Sequence, residues 1–455
     1  MAKTTTRYVC QDCGRTSAKW LGRCDSCGAW GSMVEEVVER STPKGRASGT
    51  VRAAQAVTLG EVDDASAPRA PSGLDLFDRV LGGGLVAGAA TLLAGEPGIG
   101  KSTLLLQVGH AAAGLGADVL YVSAEESPPQ LRLRAERLGC AASDLMVVGE
   151  TRLESILAAV EEQAPRLLLV DSIQALRSAE LDGPPGSIGQ VRHGADRLVE
   201  LCKARQIALF LVGHVTKDGG IAGPKSLEHL VDAVLTFEGE GASGFRVLRA
   251  QKNRFGPTGE VALFEMRDRG LVEVPDPSRV LLARRRGRRP GSSVAATLHG
   301  ARPVLVEIQA LVAASRLPSP RRLAVGLDSG RVTLLVAVLE RFGEMAFGEQ
   351  DLFLNVVGGL SVKEPAADLA VAAALISAAS ERPLPDAAFF GEVGLLGEVR
   401  PVAHAAARLR EIAGLGFARA VTAPLDEVTR PNDLEVVEVE DLAGLAEALL
   451  SVDRA

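Results

Sequence analysis

The segment Gly95-Glu96-Pro97-Gly98-Ile99-Gly100-Lys101-Ser102 constrains the fold more than any other part of this 455-residue chain. It matches G-x-x-x-x-G-K-[ST], a pattern that has a mechanism only between a buried strand and a helix. Both neighbours are present: residues 89–94 read as a buried strand, and residues 102–108 open a helix that carries Thr103 in its first turn. Glycines let the backbone curl so that successive N–H groups point inward at phosphate oxygens, and the helix N-terminus adds partial positive charge. Lys101 is placed to reach the β- and γ-phosphates of a nucleotide, and the Ser102 hydroxyl to complete the shell of a Mg²⁺ ion.

Downstream, apolar strands alternate with helical patterns, as a parallel sheet covered by helices requires. Strands are expected at 118–124, 166–172 and 207–213, and helices at 131–138 and 155–163. Asp171 closes the second strand and is the expected partner of the Mg²⁺ shell, directly or through water. Glu125 and Glu126 follow the first strand at the carboxyl edge, where open α/β sheets place their ligands. Adjacent strand residues point to opposite faces, so one of the two is expected to activate the attacking water. Glu125 is assigned that role; the competing reading is two carboxylates capping the next helix. His214 opens a glycine-rich segment and is either a γ-phosphate sensor or a surface histidine.

Four of the six cysteines form the pairs Cys10-x-x-Cys13 and Cys24-x-x-Cys27, with ten residues between the pairs. Four thiolates around one tetrahedral ion are the preference of structural Zn²⁺, in a closed site without catalytic chemistry. Redox or disulfide use is the alternative. The expected organisation is a zinc ribbon over 1–34, a flexible linker over 35–70, a P-loop domain over 71–277, a basic linker over 278–292 and a second α/β domain over 293–455. The basic linker holds five arginines in the six positions 284–289, either a phosphate-neutralising stretch or a solvated connector. No run of about 18 apolar residues occurs, so no membrane span is expected. The N-terminus leads into a cysteine pair instead of an apolar signal core, which points to the cytoplasm. A net charge of −7 speaks against a wholly basic nucleic-acid coat but leaves room for a local basic channel.

After a strand over 245–250 comes Lys252-Asn253-Arg254-Phe255-Gly256. Here the chain resembles the bacterial RadA (Sms) family of DNA repair ATPases, whose K-N-R-F-G signature it matches letter for letter. The resemblance extends over essentially the whole chain. It implies an N-terminal four-cysteine zinc ribbon, a RecA-like parallel-sheet ATPase core and a C-terminal α/β domain similar to the proteolytic domain of Lon. It further implies ATP, Mg²⁺ and Zn²⁺ as cofactors, and a DNA-dependent ATPase of repair and homologous recombination that binds single-stranded and branched DNA. The implied assembly is a homo-oligomeric, hexameric ring that promotes branch migration with DnaB-like helicase action, with a RecA-type recombinase as a partner. In RecA-like and DnaB-like rings a lysine and an arginine two residues apart reach the neighbouring subunit's γ-phosphate, a role that falls here on Lys252 and Arg254. Aligning the Lon-like serine and lysine segments puts Ala366 and Ala406 at the nucleophile and base positions, so peptide cleavage is not expected. A second reading is a nucleotide-gated adaptor, in which ATP binding controls assembly without motor activity.

Overall fold

The strand Ala90–Gly95 is buried at every position and lies inside a nine-stranded sheet. A computed structural model describes residues 4–10, 16–26, 28, 30–31, 33–39, 58, 69–141, 144–214, 226–239, 244–283, 285, 287–317, 319–343, 345–426 and 428–450. Across the sheet the order is Gly270–Glu273, Val261–Arg267, Phe245–Asn253, Ala233–Gly239, Ala90–Gly95, Ala208–His214, Leu167–Asp171, Val119–Ser123 and Met146–Val148. The last six of these run parallel to one another. Register sets His214 opposite Gly95 and Ser123 opposite Asp171, so these strands end on one edge.

Alternation along the strands explains their nearly continuous apolar sequences, because both faces are covered. Leu93, Leu167, Leu169 and Tyr121 pack with Leu104, Leu105 and Val108 of the helix Lys101–Gly114. On the other face, Leu92, Leu168, Val170 and Leu211 pack with the helices Leu153–Gln163 and Ile188–Arg205. By the same alternation Asp171 falls on the face of Leu167 and Leu169, the face of the P-loop helix.

The N-terminal residues form a small antiparallel sheet of Thr16–Ser17, Thr4–Cys10 and Met33–Glu39. Its third strand pairs with the first from Cys10↔Met33 to Thr4↔Glu39, so residues 35–39 are strand where the sequence suggested the start of a linker. The backbone ladder holds them despite Glu35, Glu36 and Glu39. The rest of the expected linker lies outside the described residues, except Thr58 and the short strand Arg69–Ala70 that pairs with Leu85–Val86.

The chain forms two compact units, one of residues 1–238 and 246–273 and a second of 239–245 and 274–455. The second unit is built on a seven-stranded sheet in the order Arg322–Val325, Gln350–Val356, Arg302–Ala314, Ser292–His299, Ala387–Phe390, Arg419–Thr422 and Glu435–Glu438. Val294, Ala296 and Leu305 face the helix Ala405–Gly414. On the other face Ser293 Oγ donates to the Ala370 carbonyl of Asp368–Ser380, a helix buried along most of its length. That helix is preceded by a 3₁₀ turn, Pro365–Ala367. Among the described residues no helix is long and apolar enough to cross a membrane.

Candidate nucleotide site

The loop after Ala90–Gly95 has the geometry that phosphate binding needs. A Cβ on Gly95 would lie 2.5 Å from the Phe237 carbonyl oxygen, and Gly98 and Gly100 hold φ of 78° and 113°, which favour glycine. Glu96, Pro97 and Gly98 are exposed at the rim, with Ile99 half-buried beneath them. Lys101 is 4 % exposed, and its Nζ donates to the carbonyls of Gly95 and Glu96, each at 2.8 Å. Burial pulls its pKa below the ordinary value, against the charges of Asp171 and then Glu125, which favour the ammonium. Ser102 and Thr103 stand half-buried in the first helical turn.

Asp171 is 8 % exposed and accepts a 2.7 Å hydrogen bond from the Tyr121 hydroxyl. Burial, and then the Asp171 carboxylate, pushes the Tyr121 phenol well above its ordinary pKa, so the phenol stays a donor. Beside it, Ser172 Oγ donates to Glu125 Oε1 across a cis Asp171–Ser172 peptide. Glu126 turns away: its carboxylate pairs with Arg134 and its carbonyl accepts from Ser123 Oγ at 2.7 Å. The helix Pro128–Leu138 is started by Ser127, whose N–H donates to Gln130 Oε1 at 2.9 Å. The capping role that competed for the two glutamates therefore falls to neither. Lys101, Glu125 and Asp171 are thus gathered at one sheet edge. Sequence reasoning missed Tyr121 and Ser172; a lone tyrosine in the aliphatic strand Val119–Ser123 was the available signal.

The donor set fits a nucleotide with Mg²⁺: a glycine loop at positive φ ahead of a helix N-terminus, a buried ammonium, a helix-start hydroxyl and a carboxylate held from the side. For Zn²⁺, Cys10 and Cys24 are 0 % and 2 % exposed and share one small cluster with Met33, Tyr8 and Leu21. Gly28 N–H bonds the Cys24 carbonyl at 3.0 Å, forming the second knuckle turn. So few apolar residues do not hold a sheet alone, which suits a metal-dependent ribbon. Cys13 and Cys27 lie outside the described residues, as does the segment 215–225 that follows His214.

Lys252 and Arg254 lie at the other edge of the sheet. The strand Phe245–Asn253 starts beside the P-loop, where Arg246 Nε donates to the Ile99 carbonyl at 3.2 Å, and ends at the far side. There Lys252 Nζ donates to the carbonyls of Glu228 and Val231 at 2.6 and 2.7 Å. Burial lowers the Lys252 pKa, and the Arg254 charge adds to the effect. Arg254 Nη1 reaches Asp232 Oδ1 at 3.1 Å, and Asp232 Oδ2 accepts from Ala90 N, at the first residue of the P-loop strand, at 3.1 Å. Asn253 Nδ2 donates to the Leu81 carbonyl at 3.1 Å, closing the helix Asp75–Leu81. Gly256 is required because a Cβ would lie 2.7 Å from Gly82 Cα. Asp232 was not singled out from sequence, since its partners are remote along the chain.

Known proteins are similar over nearly the whole length. The AAA domain family matches residues 62–220, and the rubredoxin metal binding domain family matches residues 8–35. DNA repair protein RadA of Brucella abortus is 47 % identical, over 98 % of this chain and 97 % of its own. The Bacillus subtilis protein of that name is 46 % identical, over 99 % of both chains. The Pseudomonas aeruginosa protein is 48 % identical, over 99 % of this chain and 100 % of its own. The chain belongs to the RadA family. This RadA-family chain is accordingly a P-loop ATPase of DNA repair with a largely parallel-sheet core and a zinc ribbon, and its cofactors are ATP, Mg²⁺ and Zn²⁺.

In the second unit, Ala366 is fully buried in its 3₁₀ turn and Ala406 sits half-buried in the first turn of Ala405–Gly414. The two segments are joined by a neighbouring ion pair, Arg408–Glu364, with the Arg408 side chain 0 % exposed. Burial raises the Asp368 pKa, while the paired Arg331 opposes the rise. Of the arginine run, Arg285 is largely buried over the Phe417 ring, 5.9 Å from its centroid. It is therefore withdrawn from the phosphate-contacting set that the sequence suggested. Arg288 and Arg289 are exposed, and Arg284 and Arg286 lie outside the described residues.

Proposed function

We propose that the chain is a DNA-dependent ATPase motor, a cytoplasmic hexameric ring that moves single-stranded DNA and drives branch migration of recombination intermediates by DnaB-like helicase action. ATP is held between copies. Lys101 contacts its β- and γ-phosphates, and Glu125 orients the water that attacks the γ-phosphorus as ADP leaves. Lys252 and Arg254 come from the next copy and stabilise charge on the transferred group. Ser102 and Asp171 would hold Mg²⁺, which draws charge off the phosphates when bound. Cys10, Cys13, Cys24 and Cys27 would hold Zn²⁺ in the ribbon.

One observation carries this reading: Arg254 is bonded at the Ala90 end of the strand whose Gly95 end leads into the P-loop. The strand between them spans roughly 17 Å at 3.3 Å per residue. No side chain crosses that distance, so these cations can serve a nucleotide only on another copy. Movement along DNA must not depend on sequence, which suits backbone contacts by exposed cations such as Arg288 and Arg289. A recombinase-coated strand is the natural partner substrate. With alanine at 366 and 406, the positions aligned with the Lon-like nucleophile and base carry neither serine nor lysine, which speaks against peptide cleavage.

Mixing tests the shared site. Lys101→Ala and Arg254→Ala should each abolish DNA-stimulated turnover, and their equimolar mixture should recover about a quarter of wild-type activity, the share of interfaces with both partners intact. An active Arg254→Ala protein, or no recovery on mixing, would overturn the shared-site assignment. Strand displacement on forked DNA, naked or recombinase-coated, separates the motor from a gated adaptor, which would keep its function in Glu125→Gln.

A further inference from the structure

The Asp232 carboxylate holds more cations than a buried carboxylate needs. Its side chain is 6 % exposed, and Oδ1 receives both Lys203 Nζ at 3.2 Å and Arg254 Nη1 at 3.1 Å. Oδ2 is taken by Ala90 N–H at 3.1 Å. Taking the sole partner from a buried charge is strongly unfavourable. Here Arg254 can leave while Lys203 and Ala90 keep Asp232 paired. Arg254 is also the accessible member, with 60 % of its side chain exposed. Lys252 is different: its ammonium satisfies two carbonyls at the end of the helix Ser226–Leu230, and those would lose that donor if it left.

We propose that Asp232 is a positioning residue that docks Arg254 within its own chain and releases it to the nucleotide of the next copy. The proposal rests on the shared-site reading above and adds its regulation. A neighbour's nucleotide then competes with Asp232 for one guanidinium, so apparent ATP affinity is the intrinsic affinity scaled by the released fraction of Arg254. Lys203 shares the same carboxylate oxygen and weakens the hold on Arg254. It therefore sets how readily the arginine is released, although it lies on the helix Ile188–Arg205, away from the P-loop edge.

Two substitutions in the full-length protein should move the apparent KM for ATP in opposite directions. Asp232→Asn removes the charge that docks Arg254, and KM should fall about fivefold, the shift expected from losing one partly exposed ion pair. Lys203→Gln leaves Arg254 as the sole cation on Asp232, and KM should rise about fivefold with kcat unchanged. A purely structural Asp232 would make both variants less stable and leave KM alone. Unchanged KM in folded Lys203→Gln, or shifts of the same sign, would overturn the proposal, and Lys203→Gln decides alone if Asp232→Asn fails to fold. Arg254→Ala measured alongside separates the two levels. If it keeps wild-type turnover, the shared site itself is wrong; if it loses turnover while neither variant moves KM, only the docking role of Asp232 is wrong.

Discussion

Replacing Arg408 by methionine tests how the second unit is held together. The guanidinium is fully buried and bonds the Glu364 carboxylate, the Ala403 carbonyl at 3.1 Å and the Ala296 carbonyl. Methionine keeps most of the apolar stem against Phe390, so the loss is mainly polar. Breaking a buried ion pair from one side destabilises by about 3–5 kcal/mol. Glu364 is 24 % exposed and keeps Leu298 N–H at 2.7 Å and Thr297 Oγ1 at 3.1 Å, so the lower figure applies. Two carbonyls left without their donor add about 1 kcal/mol each. The total, about 5 kcal/mol, corresponds to a fall of about 10–20 °C in the Tm of a domain this size. Both tryptophans, Trp20 and Trp30, lie in the N-terminal ribbon, so indole fluorescence would miss the event. Hydrogen exchange of the helix Ala405–Gly414 reads it directly. In a double-mutant cycle with Glu364→Gln, the pair should couple by at least about 1 kcal/mol. A Tm change under about 2 °C for Arg408→Met, or simple additivity, would refute the reasoning.

Tyr121→Phe keeps the buried ring and deletes only the hydroxyl on Asp171; losing a hydrogen bond to a charged group is worth about 1.5–3 kcal/mol. The Mg²⁺ concentration for half-maximal ATPase activity should rise about tenfold or more, whereas an unchanged Mg²⁺ titration would mean that Tyr121 does not orient Asp171. Burial pushes the Cys202 thiol up to about 12 and raises that of Cys140. At pH 8 both therefore stay protonated and unreactive in the native chain. Chelation of Zn²⁺ should expose four thiols to alkylation and no more until denaturant is added; labelling of Cys202 in the chelated but folded protein would contradict this assignment.

The nucleotide edge was legible because its signals are local. A glycine loop, the strand before it and the helix after it are contiguous in sequence, and Asp171 follows from the alternation of a single strand. Choosing between Glu125 and Glu126 rested on alternation, but both lie beyond the strand's last residue, Ser123. Their separation comes from Ser172 and Arg134 instead, partners that strand periodicity cannot supply. The far edge was less legible. Lys252 and Arg254 stand two residues apart in sequence, but the strand ends at Asn253 and Arg254 is placed by Asp232. Asp232 gathers Ala90, Lys203 and Arg254 from three remote stretches of the chain, and no window of sequence contains that set. Residues 35–39 differ for a related reason: the scarcity of periodic apolar residues from residue 35 onward suggests a linker, while pairing with Thr4–Cys10 makes them strand.

Lys101 already has two oxygen ligands from its own loop, the carbonyls of Gly95 and Glu96. In the role proposed for Lys101, an incoming phosphate would exchange one set of oxygens for another and would not meet a bare buried charge. The gain on binding is smaller for it, and so is the loss on departure. On release of spent nucleotide, the ammonium in that role would fall back on the same two carbonyls, which would lower the barrier to emptying the site. A lysine that serves as its own placeholder limits how tightly product can be retained, and that favours repeated turnover over durable occupancy.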